Sequence, residues 1–188
     1  FLFTNQTIRQ TVVKNTFWLT FGNMAGRLVR AVIIIIAARM LGAAEYGVFS
    51  YALSLAAFFT VFSDIGVSAI LTRETAKNPE TKNEYLSTSF FIKLLLLALT
   101  ILITLFVAPL FTKIEGAKQL IPIIAILLTF DSLQNFLFAI TRAQNRMEIE
   151  AFMYIFMNIV IVIASIFALV FSPTSKMLTI AYTVGTVA

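Results

Sequence analysis

Long apolar runs separated by short polar ones make up almost the whole chain. The apolar stretches cover about residues 15–41, 46–72, 86–112, 119–141, 151–171 and 177–188. All but the last reach the roughly 20 residues that a helix needs to cross a hydrocarbon core. The polar runs between them are GAAEYG, RETAKNPETKNEYLS, KIEGAK, TRAQNRMEIE and SPTSK. A turn as short as GAAEYG, with glycine at both ends, can only lead straight back into the membrane. The pattern therefore predicts an all-α fold, a polytopic transmembrane helix bundle. Pro109 is expected to bend the outer end of the third helix, and Pro122 falls in the first turn of the fourth, where proline is tolerated.

Several of these spans carry charge. On the first, steps of four and three residues put Thr16, Thr20, Asn23, Arg27 and Arg30 on one face, while Leu28 and Val32 to Ile36 cover the rest. An arginine at the bilayer centre costs from about 2.5 to over 10 kcal/mol, so two of them need protein or water beside them. Either they pair with acids on neighbouring helices, or they line a wet cavity and bind an anion. The second reading is favoured because a guanidinium holds phosphate in a planar fork. The second span holds Asp64, with Thr60 and Ser68 one turn to either side, and the fourth holds Asp131, with Gln134 and Asn135 after it. Asp64 reads first as a structural counter-ion. Asp131 reads equally as a counter-ion or as a proton or sodium site completed by Gln134 and Asn135. Lys93, in an otherwise apolar third span, is expected to snorkel toward the surface. Gly22 and Gly26, four apart, are expected to let another helix pack closely.

Composition agrees with a life in lipid: of 188 residues, 60% are hydrophobic and 12% charged, with a mean hydropathy of +0.94. Lysine and arginine number 14 against 9 acids, for a net charge of +5. Arg9, Lys14, Arg73, Lys77, Lys82, Arg142 and Arg146 fall in the tail and loops expected inside, against Lys113, Lys118 and Lys176 outside. That bias places the N terminus inside a cytoplasmic membrane. A basic excess of this kind reflects cytoplasmic loops and points to no nucleic acid. The chain has no cysteine and no histidine, which removes thiol nucleophiles, disulfides, His-based triads and zinc-type ligand clusters. No metal, no cofactor and no catalytic residues are expected. The tail FLFTNQTIRQTVVKN lacks the short apolar core of a cleaved signal peptide. With no initiator Met and an end inside the apolar run IAYTVGTVA, the chain is expected to be a piece of a longer protein.

The run from Asn15 to Asn78, above all LGAAEYGVFSYALS followed by FSDIGVSAILTRE, resembles the N-terminal part of the polysaccharide (O-antigen type) flippases of the multidrug/oligosaccharidyl-lipid/polysaccharide exporter superfamily. TRAQNRME is similar to the basic inner loop of that family. The resemblance implies a two-lobed transporter of which residues 1–188 form most of the N-terminal lobe. It also implies alternating access, with Arg27 and Arg30, and Asn23 between them and the tail, near a lipid-linked pyrophosphate. The implied partners are the bilayer, an anionic lipid-linked oligosaccharide and a proton or sodium ion for coupling. A lipid II flippase or drug exporter of the same superfamily is the nearest alternative, though paired arginines suit an anion better than a cationic drug. A membrane enzyme acting on polyprenyl-linked sugars would need catalytic acids on sizeable outer loops, and these outer turns are only a few residues long.

Overall fold

The computed structural model describes residues 8–77, 80 and 82–187. The first residues of the tail, and Pro79 in the polar loop, lie outside them. The order is α1 (Ile8–Phe62), α2 (Val67–Lys77), α3 (Lys82–Phe111), α4 (Glu115–Ala143), α5 (Met147–Phe171) and α6 (Ser175–Val187), with no strand among the described residues.

α1 is two helical arms, 8–41 and 43–62, separated by a single non-helical residue, Gly42, at φ 72 and ψ 176. Only glycine reaches that backbone region without strain, and a Cβ there would meet nothing within 4 Å, so Gly42 is needed for its dihedrals and not for space. The chain reverses there, since Ile33 and Ala37 of the first arm share a core cluster with Phe49 of the second. The six-residue turn of the hydrophobic pattern condenses to one residue.

The second arm does not run on to residue 72 as its apolar pattern suggests. It stops at Phe62, passes through 63–66 with Gly66 at φ 85, and restarts as α2. Asp64 starts the new helix: its carbonyl accepts from Val67 N at 2.7 Å and its Oδ1 from Ser68 N at 2.9 Å. A carboxylate is favoured there because the first N–H groups of a helix lack intrahelical partners. α4 begins four residues earlier than its apolar run, at Glu115, so Pro122 lies inside the helix and not in its first turn. Its missing N–H costs the helix one internal hydrogen bond.

The three helices over Asn83–Phe111, Glu115–Ala143 and Met147–Phe171 are long and apolar enough to cross a membrane. Only 22% of the most apolar window of α3 is buried, and Phe106, Leu110 and Phe111 stand fully outward. Apolar surface on this scale is stable only against lipid or another protein. The first arm of α1 packs on α5 through its small residues. A Cβ on Gly22 would lie 2.7 Å from Ala151, and one on Gly26 would lie 2.4 Å from the Tyr154 ring. α6 closes the other side, where Phe49, Ile161 and Tyr182 join Ile33 in one cluster.

The polar segments gather at two ends. At one lie the start of α1, the end of α2 and the α4–α5 turn, tied by Lys14 to Glu148 at 3.2 Å, Arg142 Nε to Glu150 at 2.8 Å, and Thr72 Oγ1 to the Ala139 carbonyl at 3.1 Å. At the other lie Gly42, the α3–α4 turn and the α5–α6 turn, where Glu45 accepts from Ser175 N at 2.9 Å. Hydrogen bonds from the Ser175 side chain and backbone hold the Glu45 carboxyl below its ordinary value of 4.5.

Candidate functional site

Arg30 leaves the first arm on the side that faces the bundle. Its Nε donates to Asn158 Oδ1 on α5 at 2.9 Å, and its guanidinium carbon stands 5.8 Å above the ring of Tyr182 on α6. Asn158 is itself oriented, since its Nδ2 donates to the Tyr154 carbonyl at 2.7 Å. Two other helices thus hold the planar fork before any ligand arrives. Arg30 lines a cavity of about 270 Å³ together with Thr60, Asp131, Tyr182 and Thr186. The cation of the first span and the acid of the fourth share this one space, yet they do not come within ion-pair distance. The cavity is charged and unbridged.

Arg27 points elsewhere. It is exposed and lines an open groove of about 590 Å³ along the first arm, with Thr20, Asn23, Met24 and Leu28. Among the described residues it has no ion-pair or hydrogen-bond partner. Asn23 Nδ2 donates back to the Leu19 carbonyl at 2.8 Å, which leaves its amide oxygen unused. The single arginine stripe of the sequence therefore divides into an open cation, Arg27, and an enclosed one, Arg30.

A small cleft of about 80 Å³ adjoins the Arg27 groove. Asn23 borders both the Arg27 groove and this cleft, and Asn135 borders the cleft while donating to the Asp131 carbonyl at 2.9 Å and to Asp131 Oδ2 at 3.4 Å. The Arg142–Glu150 pair lines the same cleft at the end that carries the α4–α5 turn.

Two residues expected beside Asp131 behave differently. Asn135 reaches it, but Gln134 turns away to donate from Nε2 to Met157 Sδ at 2.8 Å, in an apolar groove with Phe130 and Leu137. Asp64 is separate from the Arg30 cavity, and its carboxylate is taken by Ser68 and by Lys93 at 3.1 Å. Lys93 does not snorkel. It is 0% exposed and donates to Asp64 Oδ2, because a nearby acid offers more than the distant surface can. Nothing in the sequence around Tyr182 marks it as a partner of Arg30. Asn158 and Tyr154 carried a signal, being the notable polar groups of an otherwise apolar span and spaced four apart.

An all-α bundle with three helices able to cross a bilayer, and with charges enclosed between them, defines an integral membrane protein. Residues 12–188 match the family described as polysaccharide biosynthesis protein, and the chain belongs to that family. No curated protein and no solved structure matches it.

Proposed function

We propose that these residues form the N-terminal lobe of a transporter, not an enzyme, that flips a lipid-linked oligosaccharide across the cytoplasmic membrane by alternating access, for polysaccharide export. The observation that carries this reading is Arg27: an exposed guanidinium on a helix rich in outward apolar side chains, without a partner among the described residues, in a chain of a polysaccharide biosynthesis family. A polyprenyl tail can stay in lipid while its pyrophosphate crosses, but a bare phosphate in hydrocarbon costs tens of kcal/mol by Born-type reckoning. Arg27, helped by the free amide oxygen of Asn23 toward sugar hydroxyls, offsets that cost with charge-assisted hydrogen bonds. Lacking an acid beside it, the groove favours an anion and argues against a cationic drug.

Asp131 then serves coupling, with a proton as the ion. Against its carboxylate stands the Asn135 amide N–H, and Arg30 lines the same cavity. An N–H donor gives no oxygen ligand to a sodium ion, which needs several, whereas a proton needs only the carboxylate itself. The positive-inside bias assigns the end holding Lys14, Arg142 and Arg146 to the cytoplasm, with the N terminus inside.

The test is made on the complete protein in cells that depend on it for surface polysaccharide. Arg27→Ala should abolish export at unchanged membrane content, and Arg27→Lys should restore it in part, because an ammonium lacks the planar fork. Normal export by Arg27→Ala at normal content would overturn the reading.

A further inference from the structure

Lys93 is a fully buried cation on α3, and the element it holds is the interruption between α1 and α2. Its one ion-pair contact, at 3.1 Å, is Asp64 Oδ2. Asp64 sits in the 63–66 break, beside Gly66 at φ 85, and its side chain keeps 27% exposure where Lys93 keeps none. The acid is therefore partly uncovered and the lysine is not. Removing one partner of a buried pair ordinarily strands a bare charge at a cost of several kcal/mol. The pair therefore holds the break as long as both charges stand.

The break has a second tie to α4. Ser63 and Ser132, both fully buried, share a hydrogen bond of 2.6 Å, and Ser132 is the neighbour of Asp131. Beyond the break, α2 packs only on α3 and α4 among the described residues, with Leu71 seated against Phe136 and Ala139. It touches neither arm of α1, α5 nor α6. One glycine-bearing break joins this short helix to the rest of α1, and the Lys93–Asp64 pair and the Ser63–Ser132 bond fasten that break.

We propose that residues 63–66 are a hinge latched by the Lys93–Asp64 pair, and that α2 swings off α4 when that pair is broken. Lys93 is then a positioning residue: it touches no substrate, and it acts by deciding where α2 lies. The inference does not depend on what the protein carries.

The experiment reads movement, so it stands or falls apart from the transport reading. In the complete protein in membrane vesicles, free of native cysteines over these residues, Leu71→Cys reports whether α2 has left α4, and Leu120→Cys, buried at the opposite end, reports general loosening. Labelling of Leu71→Cys by a polar maleimide should rise about tenfold or more when Asp64→Asn and Lys93→Met are combined, with Leu120→Cys unchanged, as expected for a local opening. Unchanged Leu71→Cys labelling in the neutral pair would overturn the latch. A parallel rise at Leu120→Cys would overturn it too, because the pair would then merely stabilise the bundle.

Discussion

Arg30 on the first arm of α1 and Asn158 on α5 are joined by one hydrogen bond, Nε to Oδ1 at 2.9 Å, and that bond fixes the direction in which the guanidinium fork faces. Asn158 is fully buried and is itself held by its bond to the Tyr154 carbonyl. Replacing it by leucine of similar size removes the acceptor and leaves an N–H of a charged group unpaired. Asn158→Leu should lower stability by about 1–3 kcal/mol, the usual cost of an unsatisfied buried partner. A thermal midpoint in detergent checks this, and an unshifted midpoint would mean that Arg30 finds another acceptor.

Gly26 gives a prediction of pure packing. With a Cβ 2.4 Å from the Tyr154 ring, Gly26→Ala forces α1 and α5 apart, at a typical overpacking cost of about 1–3 kcal/mol. The yield of monodisperse protein should fall, and Tyr154→Ala in the same chain should recover part of it by vacating the contact. Gly47→Ala, where no atom lies within 4 Å of the added carbon, is the matched control and should leave the yield unchanged.

Sidedness is tested at Asn83 and Gly116, which lie at opposite ends of the bundle near the starts of α3 and α4. An impermeant thiol reagent should label Asn83→Cys from the cytoplasmic side and Gly116→Cys from the outside. Labelling of both from one side would refute the orientation argued from loop cations.

Asp131→Asn keeps the shape of the side chain and deletes its charge. If Asp131 takes the coupling proton, export by this variant loses its dependence on the proton gradient while the protein stays in the membrane. Retention of full dependence would place coupling elsewhere. Replacing sodium in the medium should leave the wild type unaffected.

At the end that holds Gly42, Glu45 and Ser175 make a pH-dependent tie. The carboxyl titrates below its ordinary 4.5 in the folded chain, so its contribution is fully present above that value. It is lost as the pH falls through the lower folded value. Thermal midpoints of wild type and Glu45→Gln should therefore differ by a constant amount above about pH 5 and converge as acid is added below about pH 4. A gap that persists in acid would show that the carboxylate charge is not what matters.

The helical architecture was legible because lipid imposes it: apolar runs long enough to span, with polar turns between, leave little alternative. The interruption at 63–66 was not legible, since VFSDIGVSAIL keeps an apolar pattern on both sides and a lone glycine is no proof of a break. Lys93 was misjudged by considering one helix at a time. Asp64 and Lys93 lie at similar depths on neighbouring spans, and pairing them by depth would have suggested the contact before snorkelling. The split between Arg27 and Arg30 was beyond the periodicity argument. Residues three apart on a helix differ by about 60° in direction, enough for one to face the bundle and the other to face out.

Gly42 has a bearing on how the chain enters the bilayer at all. With a single residue between the arms, neither has slack to be placed ahead of the other, and the two arms are short of independence from the moment of synthesis. They must partition from the translocation machinery as one helical hairpin. The arm with Arg27 and Arg30 in its midst is the poorer passenger, and the second arm, strongly apolar and without a charge between Val48 and Ser63, is the better one. The hairpin shares the cost of the first arm with the gain of the second, so the segment that carries Arg27 and Arg30 is helped into lipid by its neighbour.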